Sequence, residues 1–268
     1  MLIKENIQWA KTQWQLEKLT PIYEYNTRAV YRAKSIQFGN VILKVNNNPS
    51  VDLDSEYYIL KSISDKYCCQ VYAYDHEHGV LIEEEIIPGT KLREEKFVFE
   101  RVKQFVIVFK NLHKKDNQTV NKQSYLDWLR RANEYCTKKN LEPIIKENML
   151  IAYKIGVELF QKYEDRVLLH GDLHHDNILL NNKGVYCVID PKGVVGPKIF
   201  DLPRFILNEI EMVAFDQRKK HIDQVIQTIA NSLNYTIIDI KKLLFMEIML
   251  GNVWLIEDGE SFKEHHIS

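Results

Sequence analysis

The sequence has no uninterrupted apolar run near the ~20 residues needed to cross a bilayer. Its longest apolar segments, such as 102–112, carry Lys and Gln at helical intervals. It also has no surplus of positive charge: 36 Lys and Arg against 37 Asp and Glu leave a formal net charge of −1. No nucleic-acid partner and no membrane partner is therefore expected, because both select basic surfaces. Cysteine is scarce. Cys68, Cys69, Cys136 and Cys187 form no C-x-x-C pair, and the neighbours Cys68 and Cys69 are poorly placed to bridge, so reduced, packed thiols are expected. Met1 to Glu5 lack the basic segment and apolar core of a signal peptide. Neither an internal repeat nor a low-complexity segment interrupts the chain. These absences point to a cytoplasmic globular protein, and 268 residues suffice for one large domain or two lobes.

The apolar pattern divides the chain. Residues 4–19, with Ile7, Trp9, Ala10, Trp14, Leu16 and Leu19, suggest an amphipathic helix that Pro21 ends. From Ile22 the period becomes two: 30–33, 35–38, a Gly39–Asn40 turn, then 41–45, which reads as a hairpin. Residues 46–50 read as a loop, and Asp52 or Asp54 is placed to cap a helix over 55–61. A second hairpin, 71–74 and 80–87, ends at Pro88–Gly89, where a lobe boundary is expected, giving lobes 1–88 and 89–268. Helical spacing then dominates over 97–113, 125–135, 144–163, 202–215, 221–233 and 240–256, with a polar connector over 116–124.

One stretch breaks the helical pattern. Val167 to Leu169 and Ile178 to Leu180 flank a turn holding His170, Asp172, His174, His175, Asp176 and Asn177, and Ile189–Asp190 follows as a further short strand. An Asp, four residues and an Asn, with a later metal-holding Asp, is the layout of a phosphoryl-transfer loop. Such chemistry needs a lysine on the phosphates, oxygens for a metal and a carboxylate to orient the acceptor. Asp172 suits the last role, worth roughly 10²–10⁴ in rate for a general base. Asn177 and Asp190 offer hard oxygen atoms of the kind Mg²⁺ prefers. Lys44, inside the apolar strand 41–45, is costly unless it faces water or meets an anion. Glu56 on the next helix is its natural partner, with Asp54 the competitor. A second reading takes His170, His174 and His175 as ligands of a metal-dependent hydrolase. In the kinase reading His170 braces the loop, and His174 and His175 line the site or face solvent.

The strings His170-Gly-Asp-Leu-His-His-Asp-Asn177 and Ile189-Asp-Pro-Lys-Gly193 resemble those of the aminoglycoside phosphotransferase family, and within it the streptomycin and hydroxyurea kinase branch. Val41-Ile-Leu-Lys44, Leu81 to Gly89, Asn111-Leu-His113, Phe200-Asp-Leu202 and Trp254 to Gly259 extend the likeness over nearly the whole chain. The resemblance implies an α+β, bilobal protein-kinase-like fold: a small five-stranded antiparallel lobe and a mainly helical lobe, with ATP or GTP bound and the backbone of Glu84, Glu85 and Ile86 on the purine. It implies that Asp201 tethers the catalytic loop. One departure is that the turn 25–30 has no glycine to cover phosphates, leaving Asn26, Thr27 and Arg28 as the candidates there.

The implied acceptor is a small molecule. Five carboxylates, Glu247, Glu257, Asp258, Glu260 and Glu264, against Lys263 fit a cationic aminoglycoside, with Glu257 and Asp258 as the expected contacts. Hydroxyurea, a sugar or another metabolite would not need them, and a nucleotide-binding protein without catalysis is a further alternative. The sequence carries no signal for an oligomeric state.

Overall fold

The computed structural model describes residues 3–47, 52–63, 66–113 and 123–261. In chain order the elements are α1 (Ile3–Gln13), β1 (Leu16–Glu24), β2 (Arg28–Ser35), β3 (Gly39–Asn46), α2 (Asp52–Ser62), β4 (Val71–Asp75), β5 (Val80–Glu84) and β6 (Pro88–Lys91). They continue as α3 (Val98–Leu112), α4 (Tyr125–Lys138), α5 (Pro143–Lys162), β7 (Val167–Leu169), β8 (Ile178–Asn181), β9 (Tyr186–Val188) and β10 (Val194–Gly196). The last helices are α6 (Pro203–Ile210), α7 (Arg218–Leu233) and α8 (Ile237–Glu257). None of the described helices is long and apolar enough to cross a membrane. All four cysteines are buried free thiols. Most of the expected loop over 46–50, most of the connector over 116–124, and Lys263 and Glu264 lie outside the described residues.

The chain forms two compact units, Met1–Glu94 with Asp176–Lys192, and Glu95–His175 with Gly193–Ser268. A single break at Pro88 cuts the chain differently. In the first unit β8 pairs with β6 and with β9, which carries Asp176–Lys192 away from its sequence neighbours.

The first unit is built on an antiparallel sheet ordered β1-β2-β3-β5-β4. Alternation decides its faces: Ala29, Tyr31 and Ala33, then Val41, Leu43 and Val45, then Val80 and Ile82 turn to one side, where Ile3, Ala10 and Trp14 complete the core. Lys44 therefore falls on the opposite face. Two expectations change here. The N-terminal helix ends at Gln13 rather than near Leu19, and Pro21 sits inside β1. Leu16 serves a strand as well as a helix, and an edge strand tolerates a proline because its missing N–H is not needed by a neighbour. The first hairpin turns at 36–38, not at Gly39–Asn40: Gly39 pairs with Ser35 and Asn40 with Lys34. Gly39, at φ 80°, supplies the left-handed residue that closes the turn.

The second unit is mainly helical, with α5 packed against α4 and α8. Helix α4 starts in a capping box, Ser124 with Asp127, which satisfies N–H groups that the first turn leaves unpaired. Strands β7 and β10 pair antiparallel, Leu169 opposite Val194, and so fix the chain on both sides of the loop that starts at His170.

At Gly79, in the turn between β4 and β5, φ is +57° and an added Cβ would meet the Asn46 carbonyl oxygen at 2.3 Å. The left-handed backbone and the clash with fixed backbone act together, so Gly79→Ala is expected to lower stability by about 2 kcal/mol or more. Urea unfolding of the variant against wild type measures it; a loss below about 0.5 kcal/mol would show that the turn yields.

Candidate active site

Lys44 is 8% exposed, and the first unit surrounds it with carboxylates. Its ammonium forms a short contact with Glu56 of α2, lies 2.9 Å from Glu83 of β5 and 3.4 Å from Asp190. Asp54 is engaged elsewhere, 2.9 Å from His76, so the lysine's helix partner is Glu56. Glu83 was not anticipated. Its neighbours in the run Glu83–Glu85 differ: Glu84 accepts from the Gln70 N–H and Glu85 pairs with Arg32. Strand alternation sends Glu83 to the Lys44 face, where Leu81 opposes Lys44 and Glu83 opposes Ile42.

These charges share protons. Burial works against the Lys44 ammonium, but Glu56, Glu83 and Asp190 outweigh it and hold the group well above its ordinary value. Burial, then the neighbouring carboxylates, push Glu56 up to about 8 and also raise Glu83, although Lys44 pulls both down. The cluster thus retains more protons near neutrality than a simple ion pair would.

Asp190 lies beyond the end of β9 rather than within a strand, and at φ 59° it is left-handed. That geometry costs a non-glycine residue of order 1 kcal/mol and belongs to sites where a side chain must be aimed. Lys192 pairs with its second oxygen at 2.9 Å. Asn177 is buried, and its carbonyl accepts from Ile189 N–H at 3.1 Å, tying the start of β8 to the end of β9. Next to it, Asp176 receives a forked contact from Arg93 at 2.8 to 3.1 Å and lies 3.3 Å from Lys91. The Arg93 hydrogen bonds, against burial, bring this carboxyl down to about 2.

The turn from Tyr25 to Arg28 closes without glycine because none of its residues takes positive φ. Tyr25 N–H donates to Arg28 carbonyl at 2.7 Å, and Asn47 anchors Asn26 and Thr27 by two bonds of 2.9 Å. Tyr23, unforeseen, is close enough to the Lys44 cluster for its hydroxyl to be raised by burial and then by Asp190. In the segment 84–86, Glu84 N–H donates to Gln70 and Glu85 N–H to Asn40, so both are committed to the protein.

In the second unit, Asp201 is the anchor of the loop. Its two oxygens accept from His170 N–H and Gly171 N–H, each at 2.8 Å, and His113 Nε2 lies 2.8 Å from one of them. Burial opposes the charge, yet His113 and the loop keep this carboxyl below its usual range. His170 is buried and its Nδ1 accepts from Asp172 N–H at 3.2 Å. Asp172 meets Arg204 at 2.8 Å, and His174 stands 3.6 Å away. Sequence reasoning missed Arg204, although it follows Phe200-Asp-Leu202 by two positions.

The histidines do not converge. His175 neither lines a site nor faces solvent: it is fully buried, stacked on Phe205 at 4.3 Å, and bonded to Glu209 at 2.7 Å. Glu209 also takes a forked contact from Arg101 and a bond from His221. Among the described residues, no group of three or more His, Cys, Asp or Glu gathers as metal ligands, which removes the geometric basis of the hydrolase reading. Glu257 and Asp258 are exposed at the C-terminal end of α8, with Arg131 acting on Glu257. Glu247, counted with them in the sequence, is buried and bound to Arg204 and Tyr125, so it is not available to a cationic ligand.

The proton balance at Lys44 has a measurable consequence. Glu56 titrates near 8 in the folded protein against about 4.3 unfolded. Its contribution is fully present below the unfolded value and is lost as pH rises through 8. The urea midpoint is expected to fall progressively from about pH 5 to about pH 8 and to level off above that, and Glu56→Gln to flatten that fall. An unchanged slope in the variant would assign the dependence to another group.

The fold matches solved kinases over nearly its whole length. The choline kinase LicA from Streptococcus pneumoniae shares 14% identity at a TM-score of 0.71, covering 97% of this chain and 92% of that one. Aminoglycoside phosphotransferase APH(4)-Ia shares 13% at 0.68, covering 96% and 93%. APH(3'')-Id from Streptomyces rimosus shares 16% at 0.67, covering 92% and 97%. These likenesses establish the α+β kinase-like fold. No curated protein sequence matches the chain. The family model for aminoglycoside/hydroxyurea antibiotic resistance kinases matches residues 40–259. With Lys44, the loop from His170 to Asn177 and Asp190 all inside that span, the chain belongs to the aminoglycoside/hydroxyurea antibiotic resistance kinase family and is a phosphotransferase acting on a hydroxyl group.

Proposed function

We propose that the protein transfers the γ-phosphoryl group of ATP or GTP, with Mg²⁺, to a hydroxyl of a streptomycin-type aminoglycoside in the cytoplasm. The observation that carries this reading is the Lys44 ammonium held by Glu56, Glu83 and Asp190. A positioned lysine neutralises nucleotide phosphates. Asn177 and Asp190 would hold Mg²⁺, which takes one or two protein oxygens and completes its shell with phosphate and water. That ion supplies charge neutralisation on the transferring group. Residues 1–88 act as the nucleotide lobe and residues 89–268 as the lobe with the catalytic loop and acceptor site. In the segment Glu84 to Ile86, the Ile86 backbone and the carbonyls are the groups offered to the purine, since the first two N–H groups are in use.

Asp172 orients the acceptor hydroxyl and takes its proton as the oxygen attacks the γ-phosphorus and the β–γ bridging bond breaks, releasing the nucleoside diphosphate. His170 and Asp201 hold the loop that presents it. Glu257 and Asp258, exposed at the end of α8, meet the cationic groups of the acceptor. Related folds supply support for nucleotide and acceptor: APH(4)-Ia is solved as ternary complexes with ADP or AMP-PNP and hygromycin B, and LicA with AMP. The family description, which includes hydroxyurea, favours a second reading in which the same chemistry serves a small neutral acceptor.

Asp172→Ala is expected to keep Mg-nucleotide binding by calorimetry while transfer falls by roughly 10²–10⁴; full turnover in that variant would remove the base assignment. Asp190→Ala should instead raise the magnesium needed for half-maximal rate, and an unchanged magnesium curve would count against its metal role. A nucleotide-consumption screen over streptomycin, hydroxyurea and simple sugars, with mass spectrometry of each product, decides the acceptor. Phosphate on streptomycin is the expected hit, phosphate on hydroxyurea selects the second reading, and nucleotide binding without transfer to any of them would leave a binding protein.

A further inference from the structure

Arg204, on α6, is bound on two sides by carboxylates of different origin. Its Nη1 donates to Asp172 Oδ1 at 2.8 Å, and its Nε lies 2.6 Å from Glu247 Oε1 of α8. The other Glu247 oxygen accepts from the Tyr125 hydroxyl of α4. The guanidinium also lies 5.2 Å from the centre of the Trp254 ring. Glu247 is only 2% exposed, so one member of this set is fixed in the helical core while the other end reaches the loop. Burial disfavours the Arg204 charge, but Glu247 and then Asp172 outweigh that cost, so the side chain stays a cation.

Asp201 fixes the loop through the N–H groups of His170 and Gly171, which sets the backbone and not the χ angles of Asp172. The guanidinium is planar and rigid, with Nε and Nη1 held in a fixed relation. A lysine at this position would present a point charge and could not hold two carboxylates at a fixed separation. The close ion pair with Glu247 therefore fixes the position of the guanidinium, and with it where Nη1 meets Asp172. We propose that Arg204 is the positioning residue of the Asp172 carboxylate, with Glu247 fixing Arg204 in turn. This rests on Asp172 being the group that orients the acceptor. It also accounts for Glu247, one of the five carboxylates counted near the C-terminus, being spent internally: Asp172, Arg204 and Glu247 together carry one net negative charge.

Phosphate release from Mg-ATP with water as acceptor tests this without an identified substrate. Arg204→Gln is expected to lower kcat by about 100-fold, the scale of a displacement near 1 Å, and Arg204→Lys by about 10-fold, with KM for ATP within about threefold of wild type. In an Asp172→Asn background, Arg204→Gln should change the residual rate by less than about threefold, because the two residues act as one unit. Glu247→Gln, nearly isosteric, is the second variant should Arg204→Gln not fold, with an expected loss of about fivefold in kcat and no change in KM. Wild-type kcat in either single variant would overturn the proposal. So would an equal fold-loss in both backgrounds, which a purely structural ion pair produces. If Asp172→Asn alone retained the wild-type rate, the assignment of Asp172 would fail first, separately from that of Arg204.

Discussion

A lysine ammonium taken out of water inside a sheet must be matched by negative charge, and at Lys44 that requirement organises the surrounding chain. Glu56 comes from α2, Glu83 from β5, and Asp190 from the segment after β9, so one cation collects residues from three elements. Removing Lys44 would leave its carboxylates crowded together without a counter-charge, a loss on the scale of about 3–5 kcal/mol. The left-handed backbone at Asp190 is tolerated on the same ground, because the carboxylate it aims is held by Lys44 and Lys192.

The second unit repeats the rule with the signs reversed. Asp201 is a buried anion satisfied by two loop N–H groups and His113; Glu209 is satisfied by Arg101, His175 and His221. The first of these shapes the loop and the second locks α3, α6 and α7 beside it. Both convert a desolvation cost into a defined geometry, since a carboxylate with several short donors has one low-energy arrangement where an apolar contact has many. Arg204 extends the same logic to the Asp172 side chain.

Much of this is legible in the sequence. Alternation in 41–45 placed Lys44 in a strand, helical spacing over 55–61 offered Glu56, and Asp172 with Asn177 stood at the spacing of a phosphoryl-transfer loop. The failures have local causes. Leu16 and Leu19, three apart, continue a helical spacing, whereas in β1 a register shift between Glu17 and Thr20 brings both toward the core, so α1 ends earlier than the spacing suggests. Gly39–Asn40 resembles a two-residue turn, but the three residues before it make the turn and Gly39 closes it. The histidines are near neighbours in the sequence, yet His175 points into the core toward Phe205 and Glu209.

The sequence by itself determined the order of the parts: a lysine strand, a glutamate helix, a break at Pro88–Gly89, an Asp-to-Asn loop and a later Asp, together with the family that uses them. Those features are local, because periodicity, turn residues and fixed spacing act between near neighbours in the chain. Tertiary structure alone decided which charges meet. Glu56 rather than Asp54 takes Lys44, Glu83 joins them, and Glu247 binds Arg204 instead of lining an open acidic site. Ion pairing works within about 4 Å, whereas the partners lie from 12 to 146 positions apart in the chain. With 37 carboxylates competing for 36 lysines and arginines, composition leaves the pairing open until the backbone brings particular residues together.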